Sequence, residues 1–135
     1  MVASSIAGRY EDALKSAEKL VANATAIDPY APMLEGFLGS KMLIQTRFSD
    51  WDAILKTPAP EAKLPTTTAL WHFACSMAIA ATGKLEDAAS ESRALLAAKQ
   101  GISTKATIGF SPTSRISDIA SKVIDAKIAR EKHDY

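Results

Sequence analysis

The segment Gly83-Lys84-Leu85-Glu86-Asp87-Ala88 decides how the chain reads. It lies between two alanine-rich stretches of helical composition. Gly83 suits the left-handed residue that closes one helix and reverses the chain. Glu86 and Asp87 then load the first turn of the next helix, where the peptide dipoles favour negative charge. Leu85 is large enough to lock the turn against the preceding helix, and Ala88 is small enough for the two helices to cross closely. The same order recurs at Gly8-Arg9-Tyr10-Glu11-Asp12-Ala13 and at Ser49-Asp50-Trp51-Asp52-Ala53-Ile54, with a fourth, incomplete copy at His133-Asp134-Tyr135. Successive copies start 41, 34 and 50 residues apart.

Outward from these turns the helices follow by periodicity. Tyr10, Ala13, Leu14, Ala17, Leu20, Val21 and Ala24 make one apolar stripe over about Tyr10–Ala26, ended by Asp28-Pro29 and Pro32. A second helix is predicted over about Met33–Phe48, with Gly36 and Gly39 read as sites of close helix crossing rather than breaks. A short helix after Ser49 or Asp50 buries Trp51, Ile54 and Leu55, and Pro58, Pro60 and Pro65 make the next loop rigid. Two helices flank Gly83. The earlier one carries Leu70, Phe73, Ala74, Met77, Ala78 and Ala81 inward, and Leu85–Lys99 carries Leu85, Ala88, Ala89, Ser92, Leu95 and Leu96. Gln100–Pro112 reads as a long loop in which residues 106–110 suit extended backbone. The last helix, about Thr113–Lys132, repeats Ile116, Ile119, Ala120, Val123, Ile124, Lys127 and Ile128. Leu14, Leu20, Leu38, Leu70, Phe73, Leu95, Ile119 and Val123 are expected in the core.

Composition agrees with an all-α chain. Alanine, the best helix former, occurs 25 times in 135 residues. A net charge of +1 gives no electrostatic footprint for nucleic acid or an anionic membrane. One cysteine excludes a disulfide scaffold or a multi-cysteine zinc module. No apolar run approaches the ~18–20 residues of a membrane span, and no signal peptide is visible at Met1-Val2-Ala3-Ser4-Ser5.

One of the steps between these turns, 34 residues, is the tetratricopeptide period, and the chain resembles the tetratricopeptide repeat family in a degenerate form. The unit around Gly83 matches best, with Ser76, Gly83, Leu85 and Ala88 at the family's small and turn positions. Trp71 stands one place early, Ser92 replaces a large apolar residue, and no proline closes the unit at Gln100. Arg47–Leu55 followed by Pro58, and then Ala69–Ala74, look like a phrase from bacterial tetratricopeptide proteins of unassigned role. The resemblance implies one domain over residues 1–135, a right-handed α-solenoid of about three antiparallel helix pairs, incomplete at both ends. It also implies a non-enzymatic module that binds a protein or peptide in a concave groove, with Leu43, Arg47, Phe73, Met77 and Lys127 lining it. The runner-up fold is a four-helix bundle or another α-solenoid, and the runner-up role is a structural segment of a larger repeat protein whose enzymatic or sensor domain lies elsewhere. The apolar last helix, with no helix after it, leads to the further expectation of a homodimer through unfinished repeat ends.

No residue set announces chemistry, and no cofactor is expected. His72 and Cys75 share a helix face, but a metal site needs more ligands and a Cys–His nucleophile needs an orienting carboxylate or carboxamide. The Glu11-Asp12 and Glu86-Asp87 pairs sit in first helical turns and point about 100° apart, so they do not converge on a substrate. The phosphate-loop, dinucleotide and nucleophile-elbow motifs are missing.

Overall fold

Four helices end in the same way. Ala7, Phe48, Thr82 and Lys132 have φ between −75° and −96° with ψ near zero. The next residue is left-handed each time, with φ of 72° at Gly8, 59° at Ser49, 83° at Gly83 and 58° at His133. Its N–H donates back into the finished helix, to Ser5 O, Thr46 O, Ala80 O and Arg130 O respectively. At the first two turns the following N–H also donates, Arg9 to Ser4 O and Asp50 to Gln45 O, both at 2.9 Å. These bonds satisfy carbonyls that would otherwise be orphaned at the helix end. The first three turns launch a new helix through a residue of nearly constant backbone, with ψ of 84° at Arg9, 66° at Asp50 and 70° at Lys84.

The computed structural model describes residues 1–133, and Asp134 and Tyr135 of the fourth turn lie outside the described residues. The chain is all-α apart from one short hairpin. It runs α1 (Val2–Ile6), α2 (Tyr10–Ile27), α3 (Pro32–Leu38), α4 (Ser40–Arg47), α5 (Trp51–Leu55), α6 (Pro65–Ala81), α7 (Leu85–Lys99), β1 (Thr107–Ile108), β2 (Ser111–Pro112) and α8 (Thr113–Glu131). The strands pair antiparallel, Thr107 with Pro112 and Ile108 with Ser111, around a left-handed Gly109. None of the described helices is long and apolar enough to cross a membrane.

Packing follows chain order. α1 lies on α2, α2 on α3 and α4, α4 on α5 and α6, α5 on α6, α6 on α7, and α8 on both α6 and α7. The buried side chains form separate clusters at successive junctions. Ala13, Ala17 and Ile44 join α2 to α4, Met42, Ile54, Ala74, Cys75 and Ala78 join α4 and α5 to α6, and Ala69, Leu95 and Ile124 join α6, α7 and α8. The turns also touch one another, because the Tyr10 hydroxyl of the first turn donates to the Asp50 carboxylate of the second. Burial together with that carboxylate pushes the Tyr10 phenol up to about 12.

Small residues set the close crossings. Ser76 is fully buried and its Oγ donates to Ala88 O at 2.7 Å, where α6 meets α7. A Cβ at Gly36 would stand 2.6 Å from Thr107 O of the hairpin, and one at Gly39 would clash with the Leu70 side chain of α6. Gly39 does more than permit that approach. Its ψ of −4° splits the expected Met33–Phe48 helix into α3 and α4, as a residue without helical propensity permits where a neighbour presses on it.

The core list needs correction. Leu70 and Leu95 are buried, and Leu14, Leu20, Leu38 and Phe73 are half-buried, but Ile119 is 57% and Val123 41% exposed. The inner face of α8 is instead Thr113, Ser117, Ser121 and Ile124. The apolar arc of α8 is wider than the surface offered by α6 and α7, so periodicity located the stripe without telling which edge is covered. Leu55 and Leu96 are likewise exposed edges of their helices, and on α6 Ala80 is buried where Ala81 is exposed.

Two opposite substitutions test the turns. Nothing lies within 4 Å of a Cβ added at Gly83, so Gly83→Val is limited by backbone conformation alone and should lower stability by more than ~1 kcal/mol. Ser49→Gly should raise stability by about 0.5–1 kcal/mol, because it relieves the left-handed strain at some cost in unfolded-chain entropy. Urea midpoints moving in the same direction for both variants would contradict this account.

Candidate functional site

Side chains of α4, α6 and α8 line two adjoining cavities that together make a trough. At one end a cavity of about 170 Å³ is bounded by Leu43 of α4, Leu70 and Phe73 of α6, and Ile116, Ile119 and Val123 of α8. The adjoining cavity, about 410 Å³, shares Val123 and continues past Thr46, Met77, Ala126, Lys127 and Arg130. Leu43 and Phe73 thus line the first cavity, and Met77 and Lys127 the second. Arg47 does not line either cavity; its Nε donates to Ser5 O at 3.2 Å and ties α4 to α1.

The trough is apolar at the Phe73 end and charged at the other. Lys127 Nζ is 2.7 Å and Arg130 Nη2 3.3 Å from the Glu131 carboxylate. Hydrogen bonds from Lys127, then from Arg130, hold Glu131 below the usual carboxylate range. Two cations against one anion leave this end with a single net positive charge.

On the other side of α4, a cavity of about 490 Å³ opens between Leu38, Met42, Lys56, Pro58 and Trp71. Trp71 Nε1 donates to Thr57 O at 3.0 Å and pins the proline-rich loop over it.

Chemistry is not assembled at His72 and Cys75. His72 Nδ1 lies 2.6 Å from Glu91 Oε2, which is the orienting carboxylate that the sequence left unassigned. Cys75, however, is buried among Met42, Ile54, Ala74 and Ala78. Burial, helped by the Glu91 charge, pushes its thiol up to about 11, so the thiolate a nucleophile needs is suppressed. No three His, Cys, Asp or Glu side chains group as metal ligands among the described residues. Glu91 was legible only through the hairpin register, since a turn at Gly83 pairs residues about equidistant from it.

Glu35 was also missed. It is buried, and its Oε1 accepts from Thr67 N at 2.9 Å. It thereby caps the first turn of α6, whose own N-cap, Leu64, offers no side-chain acceptor. A lone acid in Met33-Leu34-Glu35-Gly36-Phe37 was the signal.

Compared with protein-family models, curated proteins and solved structures, the chain matches none.

The raised Cys75 value carries a sign. The folded chain holds the thiol proton more tightly than the unfolded chain, so stability should be level below about pH 9 and fall as pH rises toward 11. Cys75→Ala should flatten that part of the pH profile. Thiol labelling of the native chain at pH 8 should be at least tenfold slower than in urea, and equal rates would show Cys75 to be accessible.

Proposed function

We propose that this chain is a tetratricopeptide-like helical-repeat module, a right-handed solenoid that binds a protein or peptide segment in the trough between α4, α6 and α8. The observation that carries the reading is the trough itself. Residues from α4, α6 and α8 line two adjoining cavities that share Val123, with Leu43 and Phe73 in one and Met77 and Lys127 in the other. The order of packing and the separate junction clusters support the solenoid, because a stack of pairs contacts only its neighbours and needs no central core. The repeated left-handed turn supports the repeat assignment. The trough's composition favours a segment with two or more apolar side chains and an acidic group placed to meet Lys127 and Arg130. A role as one structural segment of a larger repeat protein uses the same surfaces and remains compatible with the binding role. Nothing in the Cys75 environment favours an enzyme, since its thiol is buried and held protonated at neutral pH.

Selection from a random peptide library tests the reading. Binders should carry apolar anchors with an acidic residue on one side. Met77→Lys and Lys127→Glu should each weaken the selected peptides at least tenfold while leaving the helical circular dichroism unchanged. Peptides indifferent to both substitutions, or no enrichment, would remove the trough as the binding site.

A further inference from the structure

The outward face of α8 is uncovered among the described residues and carries a charge pattern that complements itself. Ile119 and Val123, 57% and 41% exposed, border a furrow of about 420 Å³ with Ala126. Arg115, Asp118 and Lys122 line the same furrow, and Asp125 follows one turn on. These four charges read plus, minus, plus, minus, at spacings of three, four and three residues. Their positions are symmetric about residue 120 while their signs are antisymmetric. Reversing the helix end for end about that level brings Arg115 onto Asp125 and Asp118 onto Lys122.

We propose that the occupant of this face is a second copy of the chain, with α8 packed antiparallel on α8 about a two-fold axis level with Ala120. The contact places Ile119 of both copies beside the two-fold axis, with Ala126 about 9 Å along the helix from it and Val123 at the lateral edge. Two-fold symmetry doubles each complementary pair, so Arg115–Asp125 and Asp118–Lys122 contacts each occur twice across the interface. The charges also select orientation: a parallel, in-register pairing would oppose Arg115 with Arg115 and Asp125 with Asp125, which like-charge repulsion penalises.

One existing ion pair already engages Asp118: its Oδ1 lies 2.5 Å from Lys99 Nζ, and its side chain stays 58% exposed, so a second copy would share or exchange that partner. Lys122 reaches Asp125 only at 3.8 Å. Surface pairs of this kind hold their partners weakly. Arg115 makes no ion pair among the described residues. A single helix of 19 residues is about 28 Å long. One helix-on-helix contact of that length falls toward the small, transient end of interfaces, below about 1,200 Å² in total, so the dimer should be concentration-dependent. Ile119 and Val123 also border the trough, but the charges that set the pairing, Arg115 and Asp125, lie outside both of its cavities, so their substitution tests the dimer separately from peptide binding.

Sedimentation equilibrium of the full chain, from micromolar to millimolar concentration, tests it. Wild type should show a monomer–dimer equilibrium weakened by added salt. Arg115→Asp and Asp125→Arg should each weaken dimerisation at least tenfold with unchanged helical content. An equimolar mixture of the two variants should form a heterodimer, since each Asp then faces an Arg, and the double variant R115D/D125R should dimerise again. A wild type that stays monomeric at millimolar concentration overturns the proposal, whatever else covers α8. So does a dimer indifferent to both single substitutions, or a loss that the mixture and the double variant fail to reverse.

Discussion

The left-handed residue after each of four helices is the constraint on which the rest depends. A helix closed by positive φ at Gly8, Ser49, Gly83 or His133 satisfies its own last carbonyls and turns the chain back along a predictable direction. Where the next helix is described, it starts from the same backbone geometry. Antiparallel pairs result, and Ser76 against Ala88 shows how near they approach: a hydroxyl bonds directly to the backbone of the opposing helix. Had Ala88 been large, that bond and the register of α6 on α7 would both be lost.

Close pairs of small-residue helices do not build one large core. The buried clusters sit between neighbours, and α6 is the element that the two later junctions share, touching α3, α4, α5, α7 and α8. Being covered on so many sides, α6 has little solvent to satisfy its first turn. Its leading residues Leu64 and Pro65 give no side-chain cap, and Glu35 from the preceding pair accepts the Thr67 amide instead. A buried carboxylate is tolerable there because the helix N-terminus supplies N–H donors and a favourable dipole. One side chain thus joins two helix pairs through a polar contact as well as through packing.

The same alternation shapes the surfaces available to partners. Helices α4, α6 and α8 face the trough, which runs from Leu43 and Phe73 to Lys127 and Arg130. The far face of α8 carries Ile119 with Arg115, Asp118 and Lys122. Ile119 and Val123 border both, so a ligand in the trough and a neighbour on α8 would meet along one edge. The His72–Glu91 pair, by contrast, links α6 to α7, and Cys75 is committed to packing.

Local sequence by itself determined the helices, the turns and the residue types within them, because propensity, capping and backbone handedness act over a few residues. Gly83, Gly8 and the acidic first turns were legible for that reason, and so was the crossing at Ser76 and Ala88, once the hairpin closed. Only the tertiary structure decided which edge of α8 is covered, since Ile119 and Ile124 lie on one apolar arc and only the placement of α6 and α7 separates them. It alone brought Glu35 to Thr67 and Glu91 to His72, across 32 and 19 residues. It also turned Arg47 toward Ser5 and away from the trough. A side chain's period along its own helix says which neighbours share its face; where that face points is decided by helices far away in the chain.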